Sequence, residues 1–230
     1  NVIGWTFQNT PEKQYPWFYQ SAVNGYFRGQ NNLGNSYGFS DPVKNYEKAH
    51  FWYTTALEQQ PDYAYAHNNI ASLYFSNNQY DLYKKHITIA ADLGELIAQY
   101  NIGIAYELGL EPFEQDYTMA TEYYQKVIQK EDPSAYLGLA RVQPENAADY
   151  YQQAYSKFKD FNPAEIALFD IISAYYTGIM YLEGQGGPVD EHLARLFLEH
   201  AAHFFSKDST YQAFSEKAQL ELEKLQSTEE

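Results

Sequence analysis

Six histidines are the side chains best suited to metal binding or proton transfer in this chain, and three of them lie close together. His192, His200 and His203 follow one another at helical spacing, so one helix face could present more than one imidazole. A metal ion would need further ligands, of which Glu199 and Asp190 are the nearest. No His-Glu-x-x-His spacing occurs, and His200 replaces a solvent-facing residue of the repeat described below. We therefore expect no metal site.

Signatures of covalent catalysis and of phosphate binding are missing from the sequence. The chain has no cysteine, which removes thiolate catalysis, disulfides and Cys-ligated zinc. It also lacks the Gly-x-Ser-x-Gly and Gly-x-Gly-x-x-Gly patterns, and no Ser-x-x-Lys occurs together with the partner motifs that such a serine needs. The glycine-rich segment 184–187 is followed by Asp190, which puts an acid where a bound anion would sit. We expect neither an enzyme nor a bound cofactor.

The net charge of −15 limits the partners that the protein can bind. Residues 111–230 hold 21 of the 30 acidic side chains and 9 of the 15 basic ones. A field of this sign repels nucleic acid and anionic membrane surfaces, whereas it attracts a basic protein. The alternative is that the charge serves only solubility. The longest mostly apolar run, Ile171–Leu182, is too short to span a membrane.

The sequence repeats itself at steps of about 34 to 37 residues. One half of the repeat begins with Asn or Asp, has Ala four residues later and an aromatic residue three residues after that. It occurs as N45-YEKAHFWYTTA, D116-YTMATEYYQKV and D190-EHLARLFLEHAA. The other half precedes it as Leu33-Gly34-x-x-Tyr37, Ile102-Gly103-x-x-Tyr106 and Thr177-Gly178-x-x-Tyr181. This period predicts a stack of helix hairpins.

Small residues at fixed positions of the repeat predict where neighbouring helices approach closely. The first helices carry them at Gly34, Ala71, Gly103, Gly138 and Gly178, and the second helices at Ala49, Ala120, Ala147 and Ala194. The aromatic residues expected to fill the space beside them are Trp52, Tyr123, Tyr150 and Phe197, and His86 takes this place in the second hairpin.

Three segments follow from this pattern. Residues 1–23 form an aromatic N-terminal cap or a docking arm, residues 24–206 the helical repeat domain, and residues 207–230 a capping helix and tail. The glycine-rich segment 184–187 is expected to be the most flexible joint.

The third and fifth hairpins resemble Sel-one-like repeats, through A98-QYNIGIAYELG with D116-YTMATEYYQKV and through Gly178-IMYLEGQGGPVD with EHLARLFLEHAA. The second hairpin, ALEQQPDYAYAHNNIASLYFSNNQYD, is more similar to a tetratricopeptide repeat. The resemblance implies an all-α protein. It would be a right-handed α-solenoid of about five helix-turn-helix repeats with N- and C-terminal capping segments.

The resemblance also implies a binding face formed by the first helix of each hairpin. The exposed positions expected on it are Arg28, Asn31, Asn35, Asn68, Ser72, Phe75, Tyr100, Glu107, Tyr175 and Glu183. Asn and basic residues at such positions can hold the terminal carboxylate of a peptide. Here the further Lys or Arg is missing, so a folded or basic partner suits the face better.

By resemblance, we expect a non-enzymatic protein-binding scaffold or adaptor of a bacterial cell envelope, which places it in the periplasm, with the cytoplasm as the alternative. A second possibility is an immunity protein that neutralises a secreted effector, such as a lipase of type VI secretion. A remote third is β-lactam binding or hydrolysis, which is associated with cysteine-rich members of the repeat family. The chain begins at Asn1 without an initiator Met, so we expect a removed leader or trimmed residues.

Overall fold

The computed structural model describes residues 11–39, 45–130, 132–158, 171–203 and 209–227, and these contain helices and turns but no strand. In chain order the helices are α1 Pro11–Val23, α2 Phe27–Phe39, α3 Tyr46–Gln59, α4 Ala64–Phe75, α5 Tyr80–Asp92, α6 Leu96–Leu108, α7 Tyr117–Ile128, α8 Pro133–Val142, α9 Ala147–Phe158, α10 Ile171–Glu183, α11 Glu191–Ala202 and α12 Ser209–Ser227. A single 3-10 turn, Pro144–Asn146, precedes α9. The chain divides into two compact units, Asn1–Tyr123 and Tyr124–Glu230.

The Asn or Asp that opens each repeat signature caps the second helix of its hairpin. The side chain of Asn45 accepts a hydrogen bond from the Lys48 amide, and that of Asp190 accepts one from the Leu193 amide. Asp116 Oδ1 accepts from the amides of Thr118 and Met119. These bonds pair amides that have no partner inside the helix, which is why the repeat places a short polar side chain there.

The second hairpin begins differently from the expected arrangement. The sequence Pro61-Asp62 predicts that Asp62 caps α4, but Tyr63 holds the cap position and makes no side-chain cap bond. Asp62 Oδ1 instead accepts a hydrogen bond from the side chain of Gln60. The second helix of this hairpin, α5, follows Gln79, which also makes no side-chain cap bond.

Glycines on the first helices allow large side chains to lie against the helix backbone. A Cβ at Gly34 would lie 2.7 Å from the ring of Tyr53, and one at Gly138 would lie 2.5 Å from the ring of Tyr124. A Cβ at Gly178 would lie 2.7 Å from Leu198. The expected close approach is therefore present at these three glycines.

The side chains that lie over these glycines are not the ones the sequence pattern singled out. Tyr53, Tyr124 and Leu198 each lie one residue after the expected aromatic residues Trp52, Tyr123 and Phe197. All three are fully buried. A one-residue step turns a side chain by about 100° around a helix, so the direction of the neighbouring helix decides which of two consecutive side chains faces the glycine.

The fourth hairpin has a different register from the one predicted. Ala147 and Tyr150 are only half-buried, because α9 begins at Ala147, directly after the 3-10 turn. Tyr150 bonds back to Gln143, its hydroxyl lying 2.9 Å from the Gln143 side-chain oxygen. The buried residues of α9 are Ala154 and Phe158, one and two turns further along.

Both ends of the repeat array are covered by helices. In α1, Phe18 and Ala22 are buried and belong to the same core as Leu33, Ala49 and Tyr53. Residues 1–10 of the predicted N-terminal cap, which include the aromatic residues Trp5 and Phe7, lie outside the described residues. At the other end, α12 packs against α11 and α10 and buries Phe214, Ala218 and Leu225, three of the apolar positions expected from its helical spacing.

The glycine-rich segment 184–187, which the sequence predicts to be the most flexible joint, makes close contacts with α9. Gly184 and Gly186 have φ of 65° and 79°. A Cβ at Gly186 would overlap the backbone carbonyl of Tyr151, and one at Gly187 would lie 2.5 Å from the ring of Tyr155. These residues are glycine because of backbone conformation and close contact.

Replacing Gly34 by alanine should lower the free energy of unfolding by about 1–3 kcal/mol, because the new methyl group overpacks against Tyr53. The matched control is Gly38→Ala on the same helix, where the nearest atom to a Cβ is the Tyr53 hydroxyl at 3.4 Å. Gly38→Ala should be neutral or should stabilise by up to about 1 kcal/mol, since alanine favours helix. Urea unfolding of both variants measures the difference. Equal effects of the two substitutions would contradict the close contact between Gly34 and the ring of Tyr53.

Gly186→Ala should destabilise the protein by about 3 kcal/mol or more, since it adds backbone strain to a collision with Tyr151. Gly25→Ala separates the two causes, because Gly25 has φ of 82° but nothing lies within 4 Å of its Cβ. That control should cost only the strain, about 1–2 kcal/mol. Thermal unfolding monitored by circular dichroism reports both values, and a smaller loss for Gly186→Ala than for Gly25→Ala would refute the close contact.

Candidate functional site: the polar strip of the first two hairpins

Asparagine side chains join the first helices of the first two hairpins. Asn69 on α4 donates its amide to Asn31 Oδ1 on α2 across 3.0 Å. Asn31 in turn donates to Asn32 Oδ1 across 3.4 Å. One helical turn further along each helix lie Asn35 on α2 and Ser72 on α4. We call this set the polar strip; its members are Asn31, Asn32, Asn35, Asn68, Asn69 and Ser72.

The polar strip is anchored to the second helix of the first hairpin through a tyrosine. The hydroxyl of Tyr53 donates to Asn35 Oδ1 across 2.5 Å. Tyr53 is fully buried, and burial raises the pKa of its hydroxyl far above the ordinary value. The hydroxyl is therefore a permanent donor, and the ring that lies over Gly34 also orients Asn35.

Two carboxamide oxygens near the strip are buried without a hydrogen-bond partner in the described part of the chain, Gln30 Oε1 and Asn68 Oδ1. An unpaired buried acceptor costs about 1–3 kcal/mol. Asn32, Asn35 and Asn69 are half-buried, so part of the strip faces solvent. The strip thus combines accessible amides with an acceptor whose hydrogen-bonding capacity is unused.

Aromatic rings and one cation border the strip at the helix N-termini. The ring of Phe27 lies edge-on to Tyr63 with centroids 4.9 Å apart, and Tyr63 lies 5.7 Å from Tyr65. The guanidinium of Arg28 lies 5.7 Å from the Phe27 ring centroid. Arg28 and Tyr65 are exposed, so this border offers an apolar surface with a single positive charge.

The ten residues predicted for the binding face differ widely in exposure. Arg28 and Glu183 are exposed, whereas Asn35, Ser72, Phe75 and Tyr175 are half-buried. The other four, contrary to the expectation of exposure, are buried: Asn31, Asn68, Tyr100 and Glu107. The physical reason at Asn31 is the approach of α4, which brings Asn69 against it.

In the second unit, Tyr175 belongs to an aromatic cluster between α10 and α12. Its ring lies 5.2 Å from that of Tyr176 and 5.5 Å from that of Phe214. Burial raises the pKa of Tyr175, and the nearby carboxylates of Glu221 and Glu183 raise it further. Arg141 lies 3.8 Å above the ring of Tyr176. These residues pack the unit together more than they present a free surface.

The second hairpin contains a pair of histidines, of which His67 is buried and His86 is half-buried. Nδ1 of His67 on α4 lies 2.9 Å from Nδ1 of His86 on α5, and Nε2 of His67 lies 2.9 Å from the Pro61 carbonyl oxygen. A carbonyl only accepts, so His67 Nε2 carries a proton. His86 lies at the core edge, as its position in the repeat predicts.

Metal ligands do not converge in the described residues, where no group of three or more His, Asp or Glu side chains is placed to hold an ion. His203 of the C-terminal histidine group donates from Nδ1 to the Glu199 carbonyl across 2.7 Å.

No helix in the described ranges is both long enough and apolar enough to cross a membrane.

Sequence reasoning missed Asn32, Asn69 and His67. A signal for them exists, because Gln30-Asn31-Asn32 and His67-Asn68-Asn69 lie 37 residues apart, the same step that separates Gly34 from Ala71. Equivalent positions of adjacent repeats lie side by side, so an Asn pair repeated at this step predicts an amide contact between α2 and α4.

The chain belongs to the Sel1 repeat family. The model of the Sel1 repeat matches residues 28–61, 96–131, 136–157 and 171–203, more than half of the chain. These matches correspond to the first, third, fourth and fifth hairpins and leave out α4 and α5 of the second. The family predicted from the sequence is thereby confirmed.

Solved structures share the fold. A Sel1 repeat protein from Oxalobacter formigenes has a TM-score of 0.59 and 23% identity, over 90% of this chain and 86% of that one. A protective antigen of uropathogenic Escherichia coli strains, which displays an SLR fold, has a TM-score of 0.59 and 18% identity, over 88% of this chain and 44% of that one. The predicted all-α, solenoid fold is thus confirmed.

A curated relative is chitin synthase regulatory factor 3 of Schizosaccharomyces pombe, 33% identical over 109 residues. The match covers 44% of this chain and 12% of that protein, so the chain spans a small part of its length. Sel1 repeat proteins are in general scaffolds for protein–protein interaction and typically not enzymes.

Asn69→Ala should lower the free energy of unfolding by about 1 kcal/mol, because it removes the hydrogen bond that joins α4 to α2. Gln59→Ala is the matched control, since Gln59 is an exposed carboxamide at the end of α3. The control should change stability by less than about 0.5 kcal/mol. Chemical unfolding measures both, and an Asn69→Ala variant as stable as the control would show that this bond does not hold the two helices together.

Proposed function

We propose that this protein is a non-catalytic adaptor that binds an extended segment of another protein along the polar strip. The observation that carries the proposal is the row of carboxamides across α2 and α4, in which Asn32, Asn35 and Asn69 are half-buried. Among the described residues Asn68 Oδ1 has no hydrogen-bond partner. A carboxamide offers one donor and one acceptor side by side, which matches the N–H and C=O groups of an extended main chain.

The chemistry of the strip supports recognition by hydrogen bonds more than by charge. Its members are uncharged, and Arg28 is the cation at its border. The exposed ring of Tyr65 adds contact area at low entropic cost. The net charge of −15 acts at longer range and favours a basic partner through a faster, salt-sensitive association.

A regulatory relative supports the adaptor role, since chitin synthase regulatory factor 3 carries a region similar to part of this chain. Location in a periplasm or cell envelope, and neutralisation of a secreted effector as an immunity protein, stay predictions from the sequence. Of these alternatives, we favour the adaptor because Sel1 repeat proteins are in general scaffolds for protein–protein interaction.

The double variant Asn32→Ala/Asn69→Ala should weaken partner binding about tenfold or more, because it removes two carboxamides worth about 0.5–1.5 kcal/mol each. The measurement is affinity capture from extracts of the source organism by the immobilised protein, followed by titration of the recovered partner. Gln59→Ala, the exposed carboxamide outside the strip, should bind like the wild type.

Two results would reject the proposal. One is that no stoichiometric protein partner is recovered at micromolar concentration. The other is a partner that binds the double variant and Gln59→Ala equally well, which would place the binding face elsewhere. Titration at low and high salt separately tests the contribution of net charge, because a long-range attraction weakens as salt screens it.

A further inference from the structure

The histidine pair connects the two helices of the second hairpin. His67 on α4 is buried and His86 on α5 is half-buried, with 2.9 Å between their Nδ1 atoms. Their rings lie 5.1 Å apart, and the ring of Tyr74 lies 5.4 Å from that of His86. His50 on α3 continues the row, with Nε2 2.9 Å from the Tyr74 hydroxyl.

The hydrogen bonds assign the proton positions of the neutral pair. His67 Nε2 donates to the Pro61 carbonyl, so a neutral His67 has a lone pair on Nδ1. The proton between the two rings therefore resides on His86 Nδ1 and is donated to His67. If both rings become charged, two N–H groups face each other at this contact and the bond is lost.

The surroundings disfavour a positive charge on His86. The titratable groups that face it come from three helices: His50 on α3, His67 and Tyr74 on α4, and Lys85 on α5. None of these four side chains supplies a negative charge at neutral pH. Burial, followed by His67, Lys85 and His50, lowers the pKa of His86 to about 4.

Of the other hairpins, the first, third and fifth carry no imidazole at this position. The first, third and fifth hairpins carry Trp52, Tyr123 and Phe197 where the second carries His86.

The histidine pair does not form a zinc site, because two imidazoles fall short of the three or four protein ligands of such sites. The described residues bring no third ligand to them.

We propose that the His67–His86 pair is a pH-sensitive switch that holds α4 against α5 at neutral pH and releases the second hairpin in mild acid. An unfolded histidine has a pKa near 6.5, above that of the folded His86, so the opened state binds more protons. The stabilisation is fully present above about pH 6.5 and is lost as pH falls from there toward about 4.

Opening of the second hairpin would also dismantle the polar strip, since α4 carries Asn68 and Asn69. Loss of partner binding in acid is thus a consequence that rests on the proposed function, whereas the switch itself does not. The test is made on the isolated protein, so its failure and the failure of the proposed function are distinguishable.

Hydrogen exchange of α4 and α5, measured by mass spectrometry at about pH 7.5 and about pH 5, tests the switch. After correction for the intrinsic exchange rate, protection in the wild type should fall about tenfold at the lower pH. His86→Gln replaces the imidazole by a polar carboxamide that does not titrate, so its protection should not show this fall. His192→Gln, which removes an exposed imidazole from the other unit, should behave like the wild type.

An equal fall in the wild type and in His86→Gln, or no fall in either, would overturn the proposal. Should His86→Gln not fold, a proton NMR titration of the wild-type ring of His86 decides instead. A midpoint below about pH 6 supports the switch, whereas a midpoint at about 6.5 or above overturns it.

Discussion

The contact between a helix glycine and a large buried side chain of the neighbouring helix sets the architecture of this protein. It recurs between Gly34 and Tyr53, between Gly138 and Tyr124, and between Gly178 and Leu198. Glycine within a helix costs roughly 0.5–1 kcal/mol, but the burial of a whole ring or isobutyl group offsets it with about 1.5–3 kcal/mol. In the first hairpin the ring that covers the glycine also bonds to the glycine's helix, since the Tyr53 hydroxyl donates to Asn35 Oδ1.

The second hairpin departs from this plan. It has Ala71 where the glycine stands elsewhere, no side-chain cap at Gln79, and a histidine in the aromatic position. It is also the hairpin that the Sel1 repeat matches leave out. Positions where local rules are broken are where function or strain is expected in a repeat protein. In this protein the second hairpin carries the histidine pair and, on α4, half of the polar strip.

Much of the fold followed from local patterns, and less of the candidate site did. Helix caps such as Asn45 and Asp190 are readable because a cap depends on residues within one turn. The resemblance to tetratricopeptide-like repeats predicted Asn31, Asn35 and Asn68 as exposed residues of a binding face, but Asn31 and Asn68 are buried. The burial of Tyr100 and Glu107 was not foreseen, because exposure on one helix is decided by the helices packed beside it.

Sequence by itself determined the family, the hairpin order, the close-contact glycines Gly34, Gly138 and Gly178, and the helix starts at Asn45, Asp116 and Asp190. These features are recorded in residue types at short spacing, since helix geometry repeats every few residues. Only the tertiary structure decided that Tyr53 and not Trp52 covers Gly34, that Ala154 and not Ala147 is the buried alanine of α9, and that His67 meets His86. Each of these depends on the angle and distance at which two helices cross, which arises from the packing of the whole hairpin and not from any single segment.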